Sequence, residues 1–73
     1  MEDDALGPVE EARIRAEIVS LREEHQDLDD ADRALESLPR PDQLRIARLK
    51  KKKLILRDQI ASLEDRLTPD IIA

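Results

Sequence analysis

The chain has 73 residues with no cysteine, no aromatic residue and a single histidine, and 42% of its residues are charged. This length allows one small domain, and without thiols the chain can form neither a disulfide nor a His/Cys zinc site, so we predict no metal or other cofactor. Leu, Ala, Arg, Lys, Glu and Asp dominate the sequence, which is typical of long helices, and self-association is the remaining way to stabilise so small a core.

The first predicted element is a helix over residues 8–37, preceded by a flexible acidic N-terminus at residues 1–7. Gly7-Pro8 followed by two glutamates marks its start. Proline at the first helical position loses no needed N–H, and early carboxylates favour the positive end of the helix dipole. No proline or glycine interrupts the pattern before the end of this helix.

The second predicted element is a helix over residues 41–67. Pro39 and Pro41 exclude the α region for the residue before each of them, which places the turn at residues 38–40. Residues 68–73 form a C-terminal tail. Its two isoleucines either pack back on the hairpin or serve as a peptide that another protein reads.

Both helices carry apolar residues at alternating steps of four and three, the spacing of a coiled-coil seam. The seam positions are Ile14, Ile18, Leu21, His25, Leu28, Asp32 and Leu35 in the first helix, and Ile46, Leu49, Lys53, Leu56, Ile60, Leu63 and Leu67 in the second. Because the connection is short, the helices are antiparallel neighbours, and their seams match when paired residue numbers sum to about 81. The sequence therefore predicts an all-α, antiparallel helical hairpin that is coiled-coil-like.

The two arms of this hairpin have opposite charge. Residues 2–36 hold 13 acids and four arginines, a net charge of −9, whereas residues 40–66 hold nine bases and four acids, a net charge of +5. The pairing rule sets the four consecutive lysines at residues 50–53 beside residues 28–31, in a stretch rich in aspartate. We therefore expect the acidic arm to neutralise these lysines and to fix the register of the hairpin.

Three stretches of the sequence carry a resemblance. They are His25-Gln26-Asp27-Leu28-Asp29, Leu49-Lys50-Lys51-Lys52-Lys53-Leu54-Ile55-Leu56-Arg57-Asp58-Gln59-Ile60 and the ending Leu67-Thr68-Pro69-Asp70-Ile71-Ile72-Ala73. The first two resemble the YdcH-like family of small bacterial proteins, a domain of unknown function, and the ending is similar to members from alphaproteobacteria. The resemblance covers nearly everything after Glu10. It implies a dimeric helical hairpin with no established activity.

Three polar residues interrupt the seam: His25, Asp32 and Lys53. They either reach the wet edge of a thin two-helix interface, or form a polar layer in which Lys53 binds Asp29 or Asp32 and specifies the register. One histidine with carboxylates supplies neither a nucleophile nor an enclosed pocket. We therefore predict that the chain is not an enzyme.

A basic run on the second helix could bind phosphates. It comprises Arg45, Arg48, Lys50, Lys51, Lys52, Lys53 and Arg57. The net charge of −5, the lack of aromatic residues that stack on bases and the facing acidic arm favour internal neutralisation instead. Binding to RNA, a ribosome or another nucleoprotein stays the alternative, since an opened hairpin would expose the run.

Leu54 and Ile55 fall outside the seam, at outward positions, and Ala47 and Ala61 lie one heptad to either side of Leu54. A lone hairpin would leave this stripe in water, whereas two paired hairpins would bury it in a four-helix bundle. We therefore predict a homo-oligomer, with an unidentified protein partner as the alternative occupant of the stripe.

The function predicted from these features is that of a small, non-enzymatic, self-associating interaction module. No apolar run in the sequence is long enough to span a bilayer, so no membrane association is predicted. The residues at the amino terminus are acidic, whereas a signal peptide begins with basic residues. The expected compartment is the cytoplasm.

Overall fold

The computed structural model describes residues 7–67, which form two α-helices joined by a short connection. Helix α1 spans Pro8–Glu36 and helix α2 spans Gln43–Leu67. The two helices pack against each other, which confirms the predicted all-α helical hairpin. The described part of the chain contains no strand, and neither of its helices is long and apolar enough to cross a membrane. The predictions for residues 1–6 and 68–73 lie outside the described residues.

Helix α1 begins where the sequence predicts. Gly7 is the N-cap residue in an extended conformation, and Pro8 occupies the first helical position. The carbonyl of Gly7 accepts a hydrogen bond of 2.9 Å from the N–H of Glu11, which closes the first turn. Proline costs nothing here because its missing N–H would have no partner within the helix.

The connection between the helices is longer than predicted and covers residues 37–42. Helix α1 ends one residue early, and Ser37 follows it as the C-cap residue. Helix α2 begins two residues late because Asp42 acts as its N-cap: Oδ1 of Asp42 accepts a hydrogen bond of 3.1 Å from the N–H of Arg45. Pro41 therefore precedes the helix and does not occupy its first turn.

The seam between α1 and α2 coincides with the predicted one. All fourteen predicted seam positions are buried or half-buried, and elsewhere in residues 7–67 only Glu11, Asp29 and Pro41 are not exposed. Away from the connection, three predicted layers form one apolar cluster. The cluster consists of Ile14, Ile18 and Ile60, with Leu21, Leu63 and Leu67 packed against them. Both members of each of these three predicted layers therefore lie in one cluster.

Candidate interaction surface

The half of the seam nearer the connection contains a polar layer centred on Asp32. Asp32 is 2% exposed. Its Oδ2 accepts hydrogen bonds from Nζ of Lys50 at 3.0 Å and from Nζ of Lys53 at 3.1 Å. Lys53 also donates to Oδ1 of Asp29 at 3.0 Å, and Lys50 donates to Oε2 of Glu36 at 3.0 Å. Asp32 and Lys53 therefore form the predicted polar layer and do not reach out to the wet edge of the interface.

Each charge in this layer stabilises its neighbours in the charged form. The hydrogen bond from Lys50 lowers the pKa of Asp32, and the hydrogen bond from Lys53 lowers the pKa of Asp29. In turn, Asp32 raises the pKa of Lys50 and Asp29 raises the pKa of Lys53, although burial opposes the shift in all four groups. Two ammonium groups and two carboxylates therefore stay ionised at neutral pH.

His25 does not join this layer. It is half-buried, and its Nε2 atom has no hydrogen-bond partner within residues 7–67. In the same part of the chain, no group of three or more His, Cys, Asp or Glu side chains is placed to hold a metal ion. The imidazole therefore fills a seam position.

The basic run divides into two sets of side chains. Lys50 and Lys53 turn toward the seam and bind acids of α1. The other members are exposed, and their side chains have no ion pair within residues 7–67. They are Arg45, Arg48, Lys51, Lys52 and Arg57. The expected neutralisation is therefore wrong for Lys51 and Lys52. Because successive helical residues are rotated by about 100°, Lys51 points away from α1. Lys52 lies on the opposite side of the seam from Lys50, in a groove with Leu21 and Glu24, and forms no ion pair within residues 7–67.

Leu54 and Ile55 lie to either side of the outward face of α2. Their side chains are 55% and 48% exposed. On a helical wheel each is rotated by about 130° from the centre of the seam, one in either direction. They line different grooves between the helices. A partner lying along one groove would contact one of them, whereas a partner packed on the outward face of α2 would contact both.

Leu54 lines the first groove, which we call the ion-pair groove. Its lining residues are His25, Asp29, Lys50, Lys53, Leu54 and Arg57, and it continues along Arg22, Ile60, Ala61 and Glu64. Arg22 forms an ion pair with Glu64, and Lys50 forms one with Glu36. Ala61 therefore lies beside the ion pair of Arg22 with Glu64, and also beside Arg57, which has no ion pair within residues 7–67. The exposed Ala47 lies one heptad before Leu54 on the same side of α2.

Ile55 lines the second groove, which we call the Ile55 groove. It has a volume of about 370 Å³ and is lined by Leu21, Glu24, Leu28, Lys52, Ile55, Leu56 and Gln59. Past Gln59 it continues along Glu17, Ser62 and Leu63. Its floor is aliphatic, and its charged side chains have no ion pair within residues 7–67. This groove combines accessible apolar surface with unsatisfied charge.

The central part of the hairpin matches a known family. Residues 19–64 match the model of the family described as Protein of unknown function (DUF465). The chain belongs to this family. It is the YdcH-like family, so the resemblance in the sequence is confirmed. The matched segment includes the polar layer and both Leu54 and Ile55. No curated protein and no solved structure matches the chain.

Proposed function

We propose that this chain is a small, non-enzymatic helical module that binds proteins, and that its principal partner is a second copy of itself. The observation that carries the proposal is the exposure of Leu54 and Ile55 on a domain whose core is very small. Within residues 7–67 the buried apolar side chains are Ile14, Ile18, Ile46, Leu56 and Ile60. So thin a seam is seldom enough to offset the entropy of ordering two long helices. The proposed compartment is the cytoplasm.

The chemistry of the two grooves supports a non-enzymatic role. In the ion-pair groove, Lys50 and Lys53 are bound to carboxylates, so neither is free to act as a base or a nucleophile. In the Ile55 groove, the polar groups are two glutamates, one lysine, one glutamine and one serine around an aliphatic floor. Such a surface suits the packing of another helix better than the binding of a reacting group.

The dependence of thermal stability on protein concentration tests self-association. If folding is coupled to dimerisation, the melting temperature followed by circular dichroism rises with concentration by mass action. We expect a rise of several degrees between about 1 μM and 100 μM. A melting temperature that stays constant over this range would contradict the proposal.

A second candidate function is binding to an anionic assembly such as RNA or a ribosomal surface. It is favoured by the exposed side chains of Arg45, Arg48, Lys51 and Lys52, which lack ion pairs within residues 7–67. Under this candidate, single-stranded RNA binds with an affinity that falls steeply with salt, and replacing these four residues by alanine abolishes binding. A tagged pull-down from a cell extract, with and without nuclease, shows whether the partners that are captured depend on nucleic acid. Absence of RNA binding at about 0.15 M salt would remove this candidate.

A further inference from the structure

The outward face of α2, the side turned away from the seam, is apolar in the middle and oppositely charged to either side along the helix. Leu54 and Ile55 flank the midline of this face, each about 50° from it. Lys51 lies close to the midline about one turn before them, and Asp58 lies close to it about one turn after them. All four residues are exposed. A partner on this face therefore meets a basic group, an apolar patch and an acidic group in that order.

Lys51 and Asp58 do not satisfy their charges within the hairpin. The residues three and four positions from Asp58 are uncharged, and the only charged residue at these spacings from Lys51 is Arg48, which is also basic. Lys51 and Asp58 lie about 10.5 Å apart along the helix, too far for an ion pair with each other. Neither has an ion pair with α1 within residues 7–67. Both charges are therefore available to a partner outside the chain.

A second copy of α2 presents the complementary pattern when it runs antiparallel to the first. A two-fold axis perpendicular to α2, level with the midpoint between Leu54 and Ile55, sets residues at equal heights when their numbers sum to about 109. Lys51 of each copy then lies at the height of Asp58 of the other. Beside the axis, Leu54 meets Leu54 and Ile55 meets Ile55. The basic, apolar and acidic parts of the face are thus matched at the same levels.

We propose that two hairpins associate through the outward faces of α2, packed antiparallel about this axis. This inference rests on the self-association proposed above and specifies its surface and its arrangement. A parallel pairing would keep every residue at its own height and would set Lys51 against Lys51 and Asp58 against Asp58, which is unfavourable. Charge therefore selects the antiparallel pairing. In the product the two α2 helices lie in the middle and the two α1 helices lie outside.

Small residues allow the two α2 helices to approach closely. Ala47 and Ala61 lie on the same side of the outward face as Leu54, one heptad before it and one heptad after it. In the antiparallel pairing, Ala47 of each copy meets Ala61 of the other. The interface buries Leu54 and Ile55, which are 55% and 48% exposed in the single hairpin, and this burial supplies its apolar contact.

Disulfide trapping tests the arrangement directly, because the chain has no cysteine of its own. Ala47→Cys and Ala61→Cys, each alone, should form little covalent dimer under mild oxidation. Antiparallel pairing holds the two copies of either residue about 20 Å apart, well beyond the reach of a disulfide. An equal mixture of the two variants should form a disulfide between position 47 of one chain and position 61 of the other. Circular dichroism checks that both variants keep their helices.

Substitution of the apolar residues tests whether this face is the interface. Ile55→Lys and Leu54→Lys should each weaken the dimer by about 30-fold, because both copies lose a buried aliphatic side chain. Val19→Lys is the matched control, since Val19 is an aliphatic residue on α1 that is 56% exposed. It should weaken the dimer by less than about 3-fold. Sedimentation over a range of concentrations gives the dissociation constants.

Charge reversal tests the pairing of Lys51 with Asp58. Lys51→Glu and Asp58→Lys should each weaken the dimer about 3- to 5-fold at low salt, because both contacts become repulsive. This loss is less than about 1 kcal/mol, shared between two hairpins, so the melting temperature of the hairpin hardly changes. An equal mixture of the two variants should form heterodimers about as tightly as the parent, because each contact again joins opposite charges.

The possible results separate this inference from the proposed function. Disulfides that form within each single-cysteine variant, or a dimer that Val19→Lys weakens as much as Ile55→Lys, would overturn the antiparallel pairing and leave self-association standing. A mixture of the charge-reversal variants that fails to recover affinity would do the same. A folded monomer at all concentrations overturns both proposals. If that monomer binds RNA and Lys51→Glu abolishes the binding, the outward face belongs to a nucleic-acid site instead.

Discussion

The two halves of the seam are built from different chemistry. Away from the connection, Ile14, Ile18 and Ile60 form an apolar cluster. Nearer the connection, the corresponding positions hold Asp32 and Lys53, joined by hydrogen bonds and nearly or partly buried. One half therefore buries aliphatic surface alone, whereas the other buries charge beside aliphatic residues such as Ile46, which is 4% exposed.

The two halves therefore contribute differently to the folding of the hairpin. Burial of aliphatic side chains is favourable in any register that keeps them in contact, so the apolar half supplies free energy with little directional preference. The polar half pairs Asp32 with Lys53 in a single register, because a slip would leave both of them buried without partners. We infer that the polar layer selects the register that the apolar cluster then stabilises.

The largest expected effect comes from the apolar half. Ile18→Ala should lower the free energy of unfolding by about 2–4 kcal/mol, because a buried aliphatic group is lost and the gap closes only partly. Val19→Ala is the matched control at an exposed neighbour, which is 56% exposed. It should change stability by no more than about 0.5 kcal/mol. Urea unfolding followed by circular dichroism measures both, and equal losses would show that Ile18 is not part of the core.

The next effect concerns the acceptor at the centre of the polar layer. Asp32→Ala leaves the ammonium groups of Lys50 and Lys53 with one acceptor fewer each, and should lower the melting temperature by several degrees. Asp30→Ala removes an exposed neighbour whose carboxylate, within residues 7–67, accepts a hydrogen bond only from Gln26 on the same helix. Its melting temperature should be nearly unchanged. Equal melting temperatures for the two variants would contradict the role of Asp32.

A double substitution in the same layer tests whether the polar residues select the register independently of their effect on stability. Asp32→Leu combined with Lys53→Leu replaces the buried charges by aliphatic side chains, and such replacements are often neutral or stabilising. We expect a melting temperature equal to or above that of the parent, but a mixture of registers. Disulfide trapping between cysteines introduced on α1 and α2 measures the registers. A single register in the double variant would show that the polar layer does not select it.

Stability should depend on pH at both ends of the scale. Asp29 and Asp32 have pKa values below their ordinary value of 3.8, so their contribution is present above pH 3.8 and is lost as the pH falls below it. Lys50 and Lys53 have pKa values raised above 10.5, so their contribution is present below pH 10.5 and is lost as the pH rises further. The difference in stability between the parent and Asp32→Ala should therefore be constant at neutral pH and shrink in acid. A difference that persists in acid would contradict this assignment.

The smallest effect compares two neighbouring lysines. Lys50→Glu places a carboxylate beside Asp32 and Glu36 and should lower the melting temperature at low salt, with part of the loss recovered as salt screens the repulsion. Lys51→Glu should have little effect on the hairpin, because Lys51 has no ion pair within residues 7–67. Thermal unfolding at two salt concentrations measures both variants. If the two variants lost equal amounts of thermal stability, the acidic arm would stabilise the basic run as a whole and not Lys50 in particular.

Much of this architecture follows from the sequence because helical periodicity is a strong signal. The steps of four and three predict every seam position, including the polar ones, and the prolines predict where the chain turns. The start of α2 is predicted less well because two signals compete there. Pro41 is compatible with the first helical turn, but Asp42 satisfies a backbone N–H as the N-cap and so fixes the start at the next residue.

The direction of individual side chains is the part that the pairing rule misses. The rule compares residue numbers and ignores the rotation of about 100° between successive residues. It therefore treats Lys50 and Lys51 alike, although only Lys50 turns toward α1. The heptad positions separate Lys50 from Lys51, and this signal was present in the sequence.

Sedimentation equilibrium of the unmodified chain at micromolar concentration tests the central claim most directly. The claim is that a hairpin with so thin a seam acts as a protein-binding module by pairing with a second copy. The account predicts a mass of two chains, each of 8.4 kDa, that falls toward one chain on dilution together with the helical signal. A stable and fully helical monomer across the whole concentration range would contradict it.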